Sequence, residues 1–397
     1  MAERFQVQVL NQISPNGLKR LPAERYTVGK DVAAPDAVLL RSADMHALDI
    51  PRSVLAIARA GAGTNNIPVK AMSERGVPVF NAPGANANAV KELVLAGMLM
   101  AARNLPAALR FVSGLDAQMP DMDKAVEDGK KAFAGYELAG HTLGIVGLGK
   151  IGCLVADAAI KLGMNVLGYD PDITVDAAWS LPAQVKKAAS VAEVLKNAHF
   201  ITLHVPLVAA TRDLVNADNI GLMRSGSVLV NFSREGVVNE AAVIVSLDRK
   251  HLGWYVCDFP GAALNGHERV IALPHLGAST REAEENCAIM VVEQLRDFLE
   301  HGNVANAVNF PAVSMGRESA HRVAIANANV PNMLGQISTA MARAGLNIHN
   351  MVNKSRGDMA YTLVDVDSPV DAAALADIAG IGGVLSVRYL PLVDEPA

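Results

Sequence analysis

The stretch Thr142–Asp170 decides the fold of this chain. In it, Leu143-Gly144-Ile145-Val146 runs into Gly147-Leu148-Gly149-Lys150-Ile151-Gly152, and a second apolar run, Val166-Leu167-Gly168-Tyr169, ends at Asp170. An apolar run, a glycine turn, a helical pattern and a further apolar run predict a strand, a turn, a helix and a strand. This order is typical of a doubly wound parallel sheet that binds a dinucleotide.

Each glycine of the turn has a physical reason. Gly147 permits a tight turn, Gly149 lets backbone N–H groups approach a pyrophosphate, and Gly152 lets the helix pack closely on the sheet. Asp170 can accept both hydroxyls of an NAD ribose and would repel the extra phosphate of NADP, so we expect NAD. A structural turn without a ligand is the alternative. The predicted cofactor contacts here are Gly147, Gly149, Lys150, Ile151, Gly152 and Asp170.

Composition narrows the classes of protein. With 397 residues, two or three domains are expected, and 51% hydrophobic residues can fill large cores. A net charge of −5 gives no field for nucleic acid or for an anionic membrane. Cys153, Cys257 and Cys287 form no CxxC pair, so neither disulfides nor a metal site is expected, and a reducing cytoplasm fits. The apolar run Leu93–Ala102 is too short to span a bilayer and suits a core or a subunit contact.

The strand and helix pattern predicts two doubly wound parallel-sheet domains, of α/β class. Residues 1–90 and 282–310 form a discontinuous substrate-binding domain, with helix 279–301 returning the chain to it, and residues 91–281 form a Rossmann-type cofactor domain. The predicted strands before the tail are 37–40, 55–59, 77–80, 143–146, 166–169, 200–204, 228–231, 254–258 and 270–273. A helix is predicted over 91–103.

The tail has a different order of elements. Strands at 321–327, 347–354, 360–366 and 384–390, with helices at 331–344 and 370–378, give a βαββαβ arrangement. Residues 320–397 are therefore predicted to form a small ferredoxin-like module, joined by a linker over 303–317.

Two residues in the predicted cofactor domain could carry chemistry. Arg234 follows the apolar run Val228–Asn231, and His275 follows the run Val270–Leu273, so both lie at carboxyl ends of parallel strands. A guanidinium can grip a carboxylate through two hydrogen bonds, and an imidazole can take a hydroxyl proton. A surface ion pair for Arg234 and a helix-capping role for His275 are the structural alternatives.

Six segments together resemble the D-isomer-specific 2-hydroxyacid dehydrogenase family, and within it the branch that oxidises 3-phospho-D-glycerate and carries a C-terminal ACT domain. The resemblance covers nearly the whole chain. The segments are Arg59–Asn66, Val79–Asn86, Gly147–Gly152, His204–Leu207, Asn231–Gly236 and Pro274–Thr280.

The resemblance implies roles for particular residues. Arg234 would bind the substrate carboxylate, His275 would take the hydroxyl proton, and Asp258 would lie near the nicotinamide carboxamide. Further cofactor contacts implied are His204, Val205, Pro206 and Ser233. Candidates for the substrate pocket are Arg41, Ser42, Asn81 and Asn86, for each of which an exposed loop role is the alternative.

One departure from the family pattern concerns the acid that orients the histidine. The family places a glutamate a few residues after the aspartate, whereas Phe259–Ala263 contains no acid. Glu268 is the nearest acid in sequence but does not match the motif. The third catalytic member is therefore left unassigned.

The ACT resemblance implies an effector site. In serine-regulated relatives, polar side chains of the first loop and at the position of Asn347 hold L-serine. Asn329 and Asn347 match the family residue for residue, whereas Asn327 stands where a histidine is common. Inhibition by L-serine is the hypothesis, and a purely structural tail that forms dimers is the competitor.

The function implied is NAD-dependent oxidation of 3-phospho-D-glycerate to 3-phosphohydroxypyruvate, the first step of L-serine biosynthesis, in a cytoplasmic homodimer or homotetramer. A glyoxylate or hydroxypyruvate reductase of the same family is the first alternative. A non-enzymatic NAD-sensing regulator is the second.

Overall fold

The structure, a computed structural model, describes residues 4–392. The chain divides into two compact units: one joins the stretch up to Asn86 to the stretch from Arg281 onward, and the other runs from Ala87 to Thr280. The domain boundaries expected near 90, 281 and 320 stay a prediction, and residues 1–3 and 393–397 of the predicted domains lie outside the described residues.

The first unit opens with a five-stranded parallel sheet. Its strands are β1 (Phe5–Val9), β2 (Tyr26–Gly29), β3 (Ala37–Leu40), β4 (Ala56–Arg59) and β5 (Val79–Phe80), and its helices are α1 (Pro15–Leu18) and α2 (Val69–Glu74). The strand order is β2-β1-β3-β4-β5. All four residues of β3 are buried, as expected for a central parallel strand covered on both faces.

The second unit contains a seven-stranded parallel sheet. Its strands are β6 (Thr142–Val146), β7 (Asn165–Tyr169), β8 (Lys186–Lys187), β9 (Phe200–Leu203), β10 (Val228–Asn231), β11 (Trp254–Cys257) and β12 (Val270–Ala272). Its helices are α3 (Ala87–Ala102), α4 (Leu105–Ser113), α5 (Met122–Gly129), α6 (Lys150–Lys161), α7 (Val175–Ser180), α8 (Val191–Asn197) and α9 (Glu240–Asp248). The predicted doubly wound architecture is confirmed in both units.

The strand order of the second sheet fixes where a ligand binds. The order is β12-β11-β10-β9-β6-β7-β8, so the direction of winding reverses between β6 and β9. These strands are in register, with Val146 opposite Leu203. A crevice at the carboxyl ends of β6 and β9 is therefore the expected ligand site of such a sheet.

The first unit is completed by α10 (Arg281–His301) and a C-terminal antiparallel sheet. That part comprises β13 (His321–Ala328), α11 (Met333–Arg343), β14 (Ile348–Arg356), β15 (Met359–Val366), α12 (Ala372–Ala379) and β16 (Val384–Pro391), with strand order β14-β15-β13-β16. The predicted βαββαβ order is confirmed. Helix α11 begins two residues later than predicted because Asn332 has a left-handed φ of +63°, and α12 begins at Ala372 because Asp371 caps Ala374 N–H.

Several elements were not predicted from the sequence, among them β1, β2 and the short edge strand β8.

Among residues 4–392 no single helix is long and apolar enough to cross a membrane, and α3 with α4, which meet at a 68° bend, fulfil the length and composition requirement only as a pair.

Candidate active site

The glycine turn after β6 is closely packed except at one position. Gly147 has a φ of +94°, and a Cβ there would lie 2.5 Å from the His204 carbonyl oxygen. A Cβ on Gly152 would lie 2.1 Å from the Gly147 carbonyl oxygen. In contrast, a Cβ on Gly149 would meet no described atom within 4 Å. The turn therefore leaves an open cradle at Gly149, which fits the close approach of a pyrophosphate.

The start of α6 is free to bind an anion. Gly149 is its N-cap and supplies no side-chain hydrogen bond, so N–H groups of the first turn remain available. Exposed Lys150 is the first helical residue, whereas Ile151 is half-buried against the core of the unit.

The carboxylate of Asp170 is fixed beside this turn. Its Oδ2 accepts Leu148 N–H at 2.8 Å, and its Oδ1 accepts Asp172 N–H at 3.0 Å. Asp170 directly follows β7. The structure thus places the predicted ribose-binding acid next to the glycine turn, as the NAD interpretation requires.

The segment His204–Pro206 borders the same turn from the neighbouring strand. His204 N–H donates to the Val146 carbonyl at 2.8 Å, and its Nε2 lies 3.1 Å from Thr202 Oγ1. Burial lowers the pKa of His204 to about 4, so its imidazole is neutral at physiological pH. Val205 packs against Gly147, and Pro206 is exposed.

The turn after β10 is built around the buried side chain of Asn231. Its Nδ2 donates to the Arg234 carbonyl at 3.0 Å, and its Oδ1 accepts the Ser233 hydroxyl at 2.7 Å. The guanidinium of Arg234 is exposed and donates to the Ser233 carbonyl at 2.6 Å. The hydroxyl of Ser233 is therefore engaged inside the turn, and four of the five guanidinium N–H donors of Arg234 remain for a ligand.

His275 follows β12 in a strained backbone conformation. Its φ is +29°, which is unusual for a residue other than glycine. Its backbone N–H donates to the Asp258 carbonyl at 2.9 Å, and its exposed ring packs on Phe259 with ring centroids 4.3 Å apart. The neighbouring strand thus holds the residue in place.

Asp258 connects the two predicted catalytic residues. Its side chain is buried, its Oδ2 accepts Gly277 N–H at 3.3 Å, and its Oδ1 has no hydrogen-bond partner among the described residues. Burial raises the pKa of Asp258, and the charges of His275 and Arg234 oppose that rise. Arg234 and His275 are therefore both close enough to this one carboxylate for their charges to act on it. The unpaired oxygen fits a nicotinamide amide.

An acid from another element contacts the loop that lacks the family glutamate. Glu240, the first residue of α9, accepts Gly261 N–H at 3.0 Å. A Cβ on Gly261 would lie 2.1 Å from Glu240 Oε2. The nearest acid in sequence, Glu268, is exposed and lies 4.0 Å from Arg269. Sequence reasoning missed Glu240, because a contact across 21 residues leaves no local pattern.

The predicted substrate residues Arg41 and Ser42 lie in the first unit, directly after β3. The side-chain oxygen of Asn11 accepts both backbone N–H groups, at 3.0 and 3.2 Å. The Arg41 guanidinium pairs with Glu284 at 2.6 Å. The backbone of this loop is therefore held in one conformation.

A second arginine lies at the same edge of the first sheet. Arg59 is the last residue of β4. Burial raises the pKa of the nearby Cys287 thiol, and the positive charges of Arg41 and Arg59 oppose that rise. Sequence reasoning had no role for Arg59, although its position at a strand end was a usable signal. Asn81 donates to the Ala62 carbonyl at 2.6 Å, and Asn86 is half-buried at the end of this stretch.

The two predicted effector residues lie at opposite ends of β15. Asn329 Nδ2 donates to the Gly357 carbonyl at 3.0 Å, beside the start of that strand. Asn347 N–H donates to Asp367 Oδ1 at 3.2 Å, beyond its end. The eight residues of β15 separate them by roughly 25 Å at the usual rise per residue. One chain therefore does not bring these asparagines together.

No metal centre is evident in the described part of the chain, where no group of three or more His, Cys, Asp or Glu side chains is arranged to hold an ion. All three cysteines are buried and free.

Comparison with known proteins gives consistent matches. Residues 95–277 match the model described as D-isomer specific 2-hydroxyacid dehydrogenase, NAD binding domain. The chain is 31% identical over 341 residues to the D-3-phosphoglycerate dehydrogenase of Escherichia coli K12, covering 83% of this chain and 79% of that protein. It is 36% identical over 287 residues to the enzyme of that name from Methanocaldococcus jannaschii, covering 70% of this chain but only about half, 52%, of the relative.

A solved structure with bound cofactor is also similar. The NAD⁺-bound 3-phosphoglycerate dehydrogenase of Entamoeba histolytica aligns with a TM-score of 0.60 at 25% identity, covering 77% of this chain and 99% of that one. Together with the family match, this confirms the prediction of NAD as the cofactor.

Proposed function

We propose that this chain, which belongs to the D-isomer specific 2-hydroxyacid dehydrogenase family, oxidises 3-phospho-D-glycerate to 3-phosphohydroxypyruvate with NAD, the first step of L-serine biosynthesis. The observation that carries the proposal is the grouping of Arg234 and His275 around buried Asp258, in a sheet whose glycine turn fits NAD. The relatives named for this reaction support the choice of substrate.

The chain's residues divide the work of alcohol oxidation. The glycine turn and Asp170 would hold NAD, which would supply the acceptor for the hydride from C2 of the substrate. The His275 imidazole takes the proton of the C2 hydroxyl as the carbonyl forms, and Arg234 holds the carboxylate and polarises the adjacent C2 oxygen. The negative charge of Asp258, which interacts with the charges of both His275 and Arg234, stabilises the imidazolium.

Recognition of a phosphate requires cations beyond the one that holds the carboxylate. Arg41 follows β3 and Arg59 ends the adjacent strand β4, at the edge of the first sheet where the family motifs place substrate contacts. Ser42, Asn81 and Asn86 add polar groups. We assign the substrate phosphate to this group of side chains, because guanidinium groups match phosphate geometry.

The experiment that tests the proposal is reduction of 3-phosphohydroxypyruvate by NADH, followed by NADH absorbance. We expect turnover that strongly prefers this substrate to hydroxypyruvate and glyoxylate, which lack the phosphate. The Arg59→Gln variant should lose that preference while retaining turnover of hydroxypyruvate. A wild-type preference for glyoxylate or hydroxypyruvate would make the chain a reductase, and absence of turnover with every small 2-oxo acid would favour the NAD-sensing role.

We further propose that the C-terminal part binds L-serine only in an assembly of two or more copies. Because one chain keeps Asn329 and Asn347 apart, a site using both needs a second copy. Asn327, at the position of the usual histidine, is buried and donates to the Ala328 carbonyl at 2.8 Å. Unchanged activity at millimolar L-serine would leave the tail with a structural role.

Assembly and location complete the proposal. Helix α4 exposes Leu109 and Val112, 66% and 49% accessible, which suits a contact between copies in a homodimer or homotetramer. Three free thiols suit the cytoplasm. Light scattering of the wild type and of Leu109→Glu would test the contact, since the variant should shift towards monomer.

A further inference from the structure

A cavity in the first unit is lined by several arginine side chains. Its volume is about 190 Å³, several times the roughly 30 Å³ that one water occupies and below the range typical of drug-sized ligands. Among its lining residues are Arg52, Arg75 and Arg388, together with the hydroxyl-bearing Ser386 and Tyr361. No Asp or Glu lines it, as far as the described residues show.

The cavity lies away from the candidate substrate residues. Arg52 precedes β4 and Arg75 precedes β5, so both belong to the amino edge of the parallel sheet. Arg41 and Arg59 belong to its carboxyl edge, roughly 13 Å away along the four residues of β4. The opposite wall comes from the C-terminal sheet, through Arg388 and its neighbours on β16.

Hydrogen bonds hold the arginines in place. Arg75 donates to the Ile50 carbonyl at 2.9 Å and to the Pro51 carbonyl at 2.6 Å, which fixes the segment that carries Arg52. Arg388 donates to the carbonyls of Phe298 and Leu299, at 3.1 and 2.9 Å.

The positive charges of Arg52, Arg75 and Arg388 are only partly balanced by negative groups nearby. Arg388 lies over the ring of Phe298, and Asp36 attracts it electrostatically. The only polar contacts of Arg75 among the described residues are to backbone carbonyls. Arg52 lines the cavity, is exposed, and has no acidic partner in the described residues. Guanidinium groups gathered at a semi-enclosed site favour an anion that accepts several forked hydrogen bonds.

We propose that this cavity binds a small phosphate-bearing anion, either free phosphate or a phosphate monoester, through Arg52, Arg75 and Arg388. Because the cavity has one wall on the parallel sheet and one on the C-terminal sheet, an occupant would tie β16 to the loops before β4 and β5. The site is independent of the proposed catalytic function.

The test is arginine labelling of the wild-type chain with phenylglyoxal, read peptide by peptide by mass spectrometry, with and without inorganic phosphate at constant ionic strength. We expect phosphate to slow labelling of Arg52 severalfold and to leave Arg343, an exposed arginine of α11, unchanged. Peptide resolution separates any protection of Arg41 and Arg59 from protection of Arg52. Equal labelling of Arg52 with and without phosphate would overturn the proposal.

Calorimetric titration adds a second readout. Removing one guanidinium with Arg52→Gln should weaken phosphate binding at this site about tenfold or more, whereas the control Arg343→Gln should bind as the wild type does. A parallel arm of the labelling experiment uses glycerol 2-phosphate in place of inorganic phosphate. Protection of Arg52 by the ester indicates a site for a phosphate monoester, and protection by inorganic phosphate alone indicates a site for the free ion. Unaltered phosphate affinity in a folded Arg52→Gln variant would contradict the site.

Discussion

The open position in the glycine turn gives a sharp test of the cofactor site. Gly149 has a φ of −73°, which alanine tolerates, and a Cβ there would meet no described atom within 4 Å. The fold should therefore accept Gly149→Ala. Binding of the pyrophosphate should be weakened by the same substitution, because the new methyl group would occupy the space that the phosphate needs.

The expected effect of Gly149→Ala on folding stability is much smaller than its expected effect on NADH affinity. Alanine is a poorer N-cap than glycine, but it also restricts the unfolded chain, so these terms of under about 1 kcal/mol nearly cancel. Overpacking against the phosphate should cost about 1 to 3 kcal/mol, or roughly 5- to 150-fold in the Kd of NADH. The affinity should fall while the melting temperature of the apo protein changes by only a few degrees.

The assay is calorimetric titration of NADH into wild type, Gly149→Ala and the control Gly221→Ala, each with its thermal melt. Gly221 is matched because a Cβ there also meets no described atom within 4 Å, and it lies outside the glycine turn. An NADH Kd in Gly149→Ala equal to that of the control would refute the reasoning that this position faces the pyrophosphate.

Three further outcomes follow from the side chains described above. His275→Ala should lower kcat by about 10² to 10⁴ while the Kd of NADH is unchanged, since in the proposed mechanism the imidazole moves a proton and does not hold the cofactor. Because burial raises the pKa of Asp258, its charge destabilises the fold increasingly as pH rises above the ordinary value near 3.9, so Asp258→Asn should melt higher than wild type at pH 7 yet turn over more slowly. Asp365 is fully buried and accepts two hydrogen bonds from Arg322, at 2.6 and 2.9 Å. Burial would raise the pKa of Asp365, but those bonds outweigh it and lower the pKa, so the pair stabilises the fold above about pH 4 and loses effect as the pH falls. Asp365→Ala should lower the free energy of unfolding by about 3 to 5 kcal/mol in urea titrations at pH 7, and a loss below 1 kcal/mol would contradict the pairing argument.

The fold was predictable wherever a strand is a continuous apolar run. The bounds of β3 and β10 match the prediction residue for residue, because each is a short run buried on both faces. In contrast, β2 has two exposed residues out of four, and β8 consists of two exposed lysines. Edge strands such as these form because a neighbour offers free backbone groups, which no local pattern encodes.

The candidate site was predictable as far as strand topology fixes it. Parallel strands place Arg234 and His275 at the same edge, so the residue types at two strand ends were sufficient to select them. The supports of these residues come from contacts between distant segments. The Asn231 network and the backbone bond from His275 to Asp258 depend on exact register, which composition and periodicity do not specify.

The loop without the family glutamate shows how such contacts change a motif. Glu240 already occupies the space that a side chain at position 261 would take, so an acid at 261 would have to displace that carboxylate. Glu240 holds the backbone of the loop, and the ring of Phe259, two residues earlier, packs on His275. The imidazole is thus oriented by an aromatic contact and by a backbone bond, while Asp258 supplies the negative charge. We therefore expect orientation and charge compensation, which one glutamate combines in the family pattern, to be divided in this chain between separate residues.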